Sequence, residues 1–122
     1  FIFLQTMNLQ EVAVVILNFN GKAYLEQFLP SVVAHSGNAQ VIVADNGSTD
    51  DSLPFLKAHY PDVRLIEMPE NLGFCGGYNE SLKQVKAKYY VLLNSDVEVF
   101  IDLASPKSQI LTLHSEFPFR QD

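Results

Sequence analysis

The sequence predicts an α/β fold in which helices cover both faces of a mainly parallel sheet. Apolar runs rich in β-branched and aromatic residues indicate buried strands at residues 12–17, 41–44 and 89–93. Residues 63–68 alternate less cleanly and indicate an edge strand. Helical patterns separate these runs, and this alternation is typical of parallel sheets with right-handed crossovers. Together these observations favour a three-layer sandwich.

Apolar residues at helical spacing predict the first and third helices. Pro30 should kink or restart the first helix, because proline removes a backbone donor. The second helix begins after Asp50 or Asp51, either of which can cap it, with Pro54 in its first turn. The apolar positions are Tyr24, Leu25, Phe28, Val32 and Val33 in the first helix, and Phe74, Tyr78, Leu82 and Val85 in the third.

The pattern divides the chain into one organised region and two ends. Residues 12–99 carry the alternating pattern, whereas residues 1–11 form an unpatterned N-terminal extension. Residues 100–122 form an atypical C-terminal segment, which Ala104-Ser105-Pro106-Lys107-Ser108 interrupts. At 122 residues the chain holds at most one domain, large enough for a core.

Composition and charge exclude several classes of protein. Hydrophobic residues make up 48% of the chain, so a disordered chain is not expected. A formal net charge of −6 argues against sequence-independent binding of nucleic acid and fits an acidic pocket that recruits a divalent cation. The sequence contains no apolar run long enough to span a membrane, and its first residues lack the basic flank of a signal peptide. We therefore expect a soluble protein.

The cysteine and histidine residues offer little chemistry. Cys75 stands alone, so no internal disulfide is possible, and we expect it to be a small buried residue. His35, His59 and His114 share no metal-ligand spacing with one another or with Cys75, which favours structural roles. No pair of nucleophile and base is recognisable. A site must therefore be sought among carboxylates, amides and glycines.

Two acidic turns directly follow predicted strands. Asp45-Asn46-Gly47-Ser48-Thr49-Asp50 follows the second strand along the chain, and Asn94-Ser95-Asp96 follows the last. Ligands bind in the crevice at the carboxyl ends of parallel strands, where Asp45 can accept a hydrogen bond from a base or a ribose. Asp96 offers the hard oxygen that Mg²⁺ or Mn²⁺ prefers, and Asn94 can orient it or coordinate weakly. The turns predict a nucleotide site, with helix capping in the first turn and a plain turn in the second as alternatives.

Two further loops bring glycines and polar groups to the same edge. Asn71-Leu72-Gly73-Phe74-Cys75-Gly76-Gly77-Tyr78-Asn79 opens the third helix with three glycines, which allow a ligand or a strand to approach, although packing alone would also explain them. Their spacing matches neither the dinucleotide fingerprint nor the P-loop. Asn18-Phe19-Asn20-Gly21 follows the first strand, and Phe19 can stack on a base or simply pack in the loop.

Taken in order, the four motifs resemble those of the family 2 inverting glycosyltransferases, which have the GT-A fold. The resemblance runs from residue 12 to about residue 99 and includes Val14-Val15-Ile16-Leu17 ahead of the first loop. The Gly-Gly-Tyr-Asn sequence is similar to that of relatives labelled rhamnosyltransferases. The resemblance implies a strand order of 3-2-1-4 in this half of the fold. It identifies residues 12–99 as a nucleotide-sugar-binding half and implies a setting in polysaccharide biosynthesis.

The resemblance also implies roles for the matching residues. Leu17 and Phe19 would pack around the nucleotide base, and Asp45 would hydrogen-bond to it. Asp96 stands at the last position of the DxD metal motif and would bind Mn²⁺ or Mg²⁺ that bridges the diphosphate, whereas Asn94 replaces the first acidic residue of that motif. The full predicted set of substrate-binding residues is Leu17, Asn18, Phe19, Asn20, Asp45, Asn46, Gly73, Gly76, Gly77, Asn79, Asn94 and Asp96.

The general base of the implied reaction is not assigned. In the family, an Asp or Glu in an acceptor-binding half deprotonates the acceptor hydroxyl while the metal stabilises the leaving diphosphate, so the anomeric carbon inverts. Glu98, Asp102, Glu116 and Asp122 follow the metal motif, but none lies in a context that resembles this base. We therefore expect an incomplete domain that binds a nucleotide-diphosphate sugar and cannot by itself transfer it to a glycan or lipid-linked acceptor.

Two other classes of function stay open. The chain could be a nucleotide-binding or scaffolding module that never catalyses, which the missing base supports. A nucleotidyltransferase would use a similar sheet edge, but the sequence shows no triphosphate-binding signature. An unpaired edge beside the fourth strand predicts a homodimer or marginal stability. The expected location is the cytoplasm, either free or at the inner face of the membrane.

Overall fold

A four-stranded parallel sheet forms the centre of the computed structural model, which describes residues 11–99. The strands are β1 (Val12–Asn18), β2 (Gln40–Asn46), β3 (Arg64–Met68) and β4 (Tyr89–Asn94), and the helices are α1 (Lys22–Ala34), α2 (Ser52–His59) and α3 (Gly73–Leu82). All neighbouring strands run parallel in the order β3-β2-β1-β4, which confirms both the fold class and the predicted order. Residues 1–10 of the predicted N-terminal extension and the whole predicted segment 100–122 lie outside the described residues.

The core has two halves because helices cover both faces of the sheet. In β1, Val12, Val14 and Ile16 pack on the side of α1 and α2, whereas Ala13 and Val15 pack on the side of α3. All of these side chains are at most 2% exposed. A strand that is buried on both faces needs apolar residues at every position, which explains the continuous apolar run.

β3 forms one edge of the sheet, as its weaker pattern predicts. Arg64 and Glu67 are exposed, whereas Ile66 and Met68 are buried. Lys57 Nζ of α2 forms an ion pair with Glu67 Oε2 at 3.3 Å, so charged side chains lie along this edge strand. β4 forms the opposite edge of the described sheet. Whether that edge pairs with a second copy stays a prediction.

α1 includes Pro30, and its buried stripe differs from the predicted one. The helix continues through Pro30 without a restart, and Pro30 is exposed, where water can satisfy the carbonyl that loses its donor. Tyr24 is 51% and Val33 39% exposed, because the buried stripe of the helix is formed by Leu25, Leu29 and Val32. At 13 residues α1 is too short to cross a membrane, and no other helix within residues 11–99 is long and apolar enough to do so.

The first turn of α3 protrudes beyond the core. Phe74 is 51% exposed and Cys75 is also exposed, so the expectation that they are buried is wrong. Burial begins one turn later, at Tyr78 and Leu82, because the helix starts above the carboxyl edge of the sheet. The Phe74 ring instead makes an edge-to-face contact with the Tyr78 ring, with 5.1 Å between centroids. The helix ends at Leu82, before the buried Val85.

Candidate functional site

The sheet register brings the predicted site residues to one edge. Asn18 lies opposite Asp45 of β2, and Leu17 lies opposite Asn94 of β4. The end of β1 therefore has one acidic turn on each side. Asn79 lies in the second turn of α3 and is half-buried. The sheet thus collects residues that are far apart in the sequence at one edge.

Asp45 is buried and holds its own turn. It is only 1% exposed, and its Oδ1 accepts hydrogen bonds from the Ser48 hydroxyl at 2.7 Å and from Asn18 Nδ2 at 3.0 Å. Its Oδ2 accepts a bond from the Ser48 amide at 2.9 Å. A carboxylate oxygen can accept two hydrogen bonds, so Oδ2 keeps the capacity to accept one from a ligand. The predicted contact with a base stays a prediction.

Asn20 connects the β1 loop to the β2 loop. Its amide donates to Ser48 Oγ at 2.8 Å, and its side-chain Oδ1 accepts from the amides of Thr49 at 2.7 Å and Asp50 at 3.1 Å. Asn20 adopts a φ of 51°, a left-handed conformation that asparagine tolerates better than most residues. Phe19, next to it, is 46% exposed, so its ring is available to a ligand.

Asp50 joins the beginnings of α1 and α2. Its carboxylate accepts hydrogen bonds from the Ser52 amide at 2.9 Å and the Lys22 amide at 3.2 Å. Partial burial raises the pKa of Asp50, but the hydrogen bonds from Ser52 and Lys22 outweigh this effect and leave the pKa below its ordinary value. Asp51 occupies the N-cap position of α2 without a side-chain cap bond. Of the two predicted capping residues, Asp50 therefore supplies the bond.

Asn46 fixes the loop that enters α3. Its Nδ2 donates to Asn71 Oδ1 at 3.2 Å and to the Gly73 carbonyl at 3.1 Å, while its Oδ1 accepts from the Leu72 amide at 2.9 Å. Asn46 is only 3% exposed. Its side chain is therefore used to position the glycine-rich segment, which limits the contacts it can still make with a ligand.

The three glycines of α3 are needed for different structural reasons. A Cβ on Gly77 would lie 2.9 Å from both Asn46 Nδ2 and Leu17 Cδ1, so this glycine allows the helix to approach the strand ends. Gly73 has a φ of +81° and open space around it, so glycine is favoured there by the backbone conformation and not by a close contact. A Cβ on Gly76 would meet only Leu72 Cβ, at 3.2 Å. Close packing therefore accounts best for Gly77, and whether the three glycines also admit a ligand stays a prediction.

The turn at the end of β4 is open. Asn94 and Asp96 are exposed, and Ser95 is half-buried. Residues 11–99 contain no group of three or more His, Cys, Asp or Glu residues that could hold a metal by itself. Mg²⁺ at phosphate sites usually takes one or two carboxylates and completes its coordination with phosphate oxygens and water. The exposed Asp96 fits a cation of that kind, shared with a phosphate ligand.

A cavity lies elsewhere in the described residues. It measures about 430 Å³ and opens between α2 and β3, lined in part by Val43, Leu56, Tyr60 and Leu65. None of the predicted site residues lines it. We place the candidate site at the carboxyl edge because ligands bind at the carboxyl ends of parallel strands and the predicted carboxylates and amides meet there, whereas the cavity contains none of them.

Sequence reasoning missed two residues that build the edge. Ser48 donates to Asp45 and accepts from Asn18 and Asn20, so its hydroxyl connects the two loops. The spacing of an aspartate and a serine three residues later is typical of local side-chain-to-backbone turns and could have indicated it. Gly21 is the second missed residue, and no local sequence signal indicates it. Glycine is needed there because the side chains of Asn18 and Ser95 approach it closely.

The chain is similar to known proteins in sequence and in fold. Residues 13–106 match the family model described as Glycosyl transferase family 2, and the chain belongs to that family. The N-acetylglucosaminyl-diphospho-decaprenol L-rhamnosyltransferase of Mycobacterium tuberculosis is 36% identical over 73 residues, covering 59% of this chain and 24% of that protein. The uncharacterized glycosyltransferase YfnE of Bacillus subtilis is 31% identical over 99 residues, covering 78% of this chain and 25% of that protein. The chain thus spans about a quarter of the length of these relatives.

Solved structures agree on the fold. The mannosyltransferase PcManGT from Pyrobaculum calidifontis, in complex with GDP-Man and Mn²⁺, superposes with a TM-score of 0.64 at 21% identity and covers 92% of this chain and 32% of its own. S. aureus TarS gives a TM-score of 0.62 at 22% identity, over 71% of this chain and 28% of its own. These likenesses confirm the GT-A fold of the described sheet.

Proposed function

We propose that residues 12–99 bind a nucleotide-diphosphate sugar as part of an inverting glycosyltransferase. The observation that carries this proposal is the meeting of two acidic turns at the end of β1, one buried and bonded, the other exposed. Family membership supports the reaction class. The nucleotide sugars bound to related folds, UDP-GlcNAc in TarS and GDP-Man in PcManGT, support the class of donor.

The proposed base and ribose site lies on the β2 side of β1. Asp45 offers the remaining acceptor capacity of its Oδ2 to the base, and the exposed ring of Phe19 stacks on it. Leu17 is half-buried at the end of β1, and its exposed part packs against the base in this proposal. The remaining substrate-binding residues border this space through their loops or through α3: Asn18, Asn20, Asn46, Gly73, Gly76, Gly77 and Asn79.

The proposed diphosphate site lies on the β4 side of β1. Asp96 would hold Mn²⁺ or Mg²⁺, and Asn94 would orient Asp96 or contribute its own oxygen. When bound, such a cation stabilises the negative charge of the leaving diphosphate. The carboxylate is exposed, so binding the cation requires no burial of an unpaired charge beforehand.

We further propose that the 122-residue chain binds the donor but does not transfer the sugar. Among the carboxylates of the described edge, Asp45 and Asp50 already accept hydrogen bonds from their own loops, and Asp96 is assigned to the cation. A general base for the acceptor hydroxyl is therefore not assigned here. The name of the mycobacterial relative supports a lipid-linked acceptor for the whole enzyme. We also propose that the protein is located in the cytoplasm or at the inner face of the membrane. A homodimer that forms through the β4 edge is a further part of the proposal.

Calorimetric titration of the chain with UDP, dTDP and GDP, each with and without Mn²⁺, tests the proposal. We expect Mn²⁺-dependent binding of one nucleotide and loss of the Mn²⁺ dependence in Asp96→Ala. Glu98→Ala is the matched control, because Glu98 is also exposed and follows the same turn. Failure of a folded chain to bind any of the three nucleotides would contradict the proposed site. Sugar transfer by the purified chain would contradict the proposed inactivity.

A further inference from the structure

The side chain of Asn18 contains an unusual buried atom. Asn18 is 0% exposed, and within residues 11–99 its Oδ1 has no hydrogen-bond partner. Buried side-chain acceptors are nearly always hydrogen-bonded, because the loss of water is otherwise uncompensated. An acceptor of this kind at the carboxyl edge of the sheet therefore calls for a donor.

The orientation of the Asn18 amide follows from chemistry. Its Nδ2 faces Asp45 Oδ1 at 3.0 Å and Ser48 Oγ at 3.4 Å. An ionised carboxylate only accepts hydrogen bonds, so the NH₂ group of Asn18 must point towards Asp45. Rotating the amide by half a turn would place two acceptors against each other. Oδ1 must therefore point the other way, towards Gly21.

Gly21 keeps a small space open between Asn18 and the turn at the end of β4. A Cβ on Gly21 would lie 2.4 Å from Asn18 Oδ1 and 2.8 Å from Ser95 Oγ. The two oxygens therefore border the same space, one from β1 and the other from the turn that follows β4. The Ser95 hydroxyl is a donor, and rotation about its Cα–Cβ bond moves it within this space.

We infer that Asn18 is a positioning residue that fixes the turn 94–96 relative to Asp45 by accepting a hydrogen bond from the Ser95 hydroxyl. The amide then joins the two acidic turns, with its NH₂ group on Asp45 and its oxygen on Ser95. Ser95 immediately precedes Asp96, so the link sets the position of the carboxylate assigned to the cation. Only this last step rests on the proposed function.

A double-mutant cycle in urea, without nucleotide or metal, tests the link itself. We expect Ser95→Ala to lower the folding equilibrium constant roughly fivefold in the wild-type chain and less than about twofold in the Asn18→Ala background, as for one neutral hydrogen bond. Ser95→Thr retains the hydroxyl and should stay within about twofold of the wild type. Equal effects of Ser95→Ala in both backgrounds would overturn the inference, whatever the chain binds.

Nucleotide affinity tests the positioning role. We expect Ser95→Ala to reduce, roughly fivefold, the gain in affinity that Mn²⁺ provides, with little change in affinity without Mn²⁺. A merely structural role would lower both affinities or neither, and either result would overturn the positioning role. If the wild-type chain binds no nucleotide, the proposed function fails, whereas the urea cycle still decides whether the link exists.

Discussion

The two acidic turns at the carboxyl edge differ in how their carboxylates are held. Asp45 is 1% exposed and accepts three hydrogen bonds from its own and the neighbouring loop. Asp96 is exposed, and the described part of the chain gives its carboxylate no hydrogen bond. The protein therefore surrounds the Asp45 carboxylate with donors of its own, leaving room for one more at Oδ2, whereas the described residues give the Asp96 carboxylate none.

The Asp45 turn is thus ordered before a ligand binds, whereas the Asp96 carboxylate is accessible to one. Burying a charge is costly unless donors surround it, and the donors around Asp45 also hold its loop in one conformation. A loop that is already ordered loses little entropy when a ligand binds. An exposed carboxylate costs the fold nothing and remains accessible to a cation. Substitutions in the Asp45 turn should therefore affect stability first, and substitutions at Asp96 should affect binding first.

The largest loss of stability is expected for Gly47→Ala. Gly47 has a φ of +79°, and its Cβ would lie 2.6 Å from the backbone carbon of Glu70. We expect a loss of roughly 3–4 kcal/mol in the free energy of unfolding, measured in urea. Gly73→Ala is the matched control, because its φ of +81° is similar but its surroundings are open. The control should lose roughly 1–2 kcal/mol, and equal losses would show that contact with Glu70 is unimportant.

Asp45→Asn should be the next most damaging change. The substitution keeps the shape but turns one acceptor into a donor, which must then face the Asn18 amide or the Ser48 amide. We expect a loss of about 2 kcal/mol in the free energy of unfolding. Asp62→Asn, at an exposed turn, should change it by less than about 0.5 kcal/mol. A stable Asp45→Asn variant would argue that the carboxylate is kept for binding alone.

Acid should remove a smaller contribution, that of Asp50. Its folded-state pKa is lower than its ordinary value of 3.8, so its charge stabilises the fold above that value. This stabilisation is lost as the pH falls from 3.8 through the lower folded-state pKa. The difference in stability between the wild type and Asp50→Asn should therefore shrink below pH 3.8, as followed by urea unfolding at several pH values. A difference that is constant with pH would contradict this role.

The smallest effect on stability is expected for Asp96→Ala. The carboxylate is exposed, so the free energy of unfolding should change by less than about 0.5 kcal/mol. Thermal unfolding with and without Mn²⁺ would measure it. A large loss in the metal-free chain would show that the second turn is also held by its carboxylate, and the contrast between the two turns would disappear.

The strands could be predicted because their signals are local. A continuous run such as residues 12–17 reflects burial on both faces, and the weaker alternation at residues 63–68 reflects one edge. The strand order was implied by the family resemblance, since periodicity alone does not say which strands are neighbours. The register that places Asn18 opposite Asp45 follows once that order is known.

The internal bonding of the site could not be predicted, because it depends on contacts between distant segments. The sequence places Asn18 in the loop after the first strand, whereas in the structure it ends β1 and is fully buried beside Asp45. Phe74 continues an apolar stripe but extends past the end of the sheet and is exposed. Ser48 and Gly21 acquire their roles only when three loops meet at one edge.

The space beside Gly21 has a consequence for how the family can vary. A side chain at residue 21 would collide with Asn18 and Ser95 together, so it requires a shorter residue at one of those positions or a displaced loop. Across an alignment of close relatives, positions 18, 21 and 95 should therefore change as a group. A bulkier residue at position 21 should accompany the loss of the amide at 18 or of the hydroxyl at 95, which makes these three positions a correlated unit of evolution.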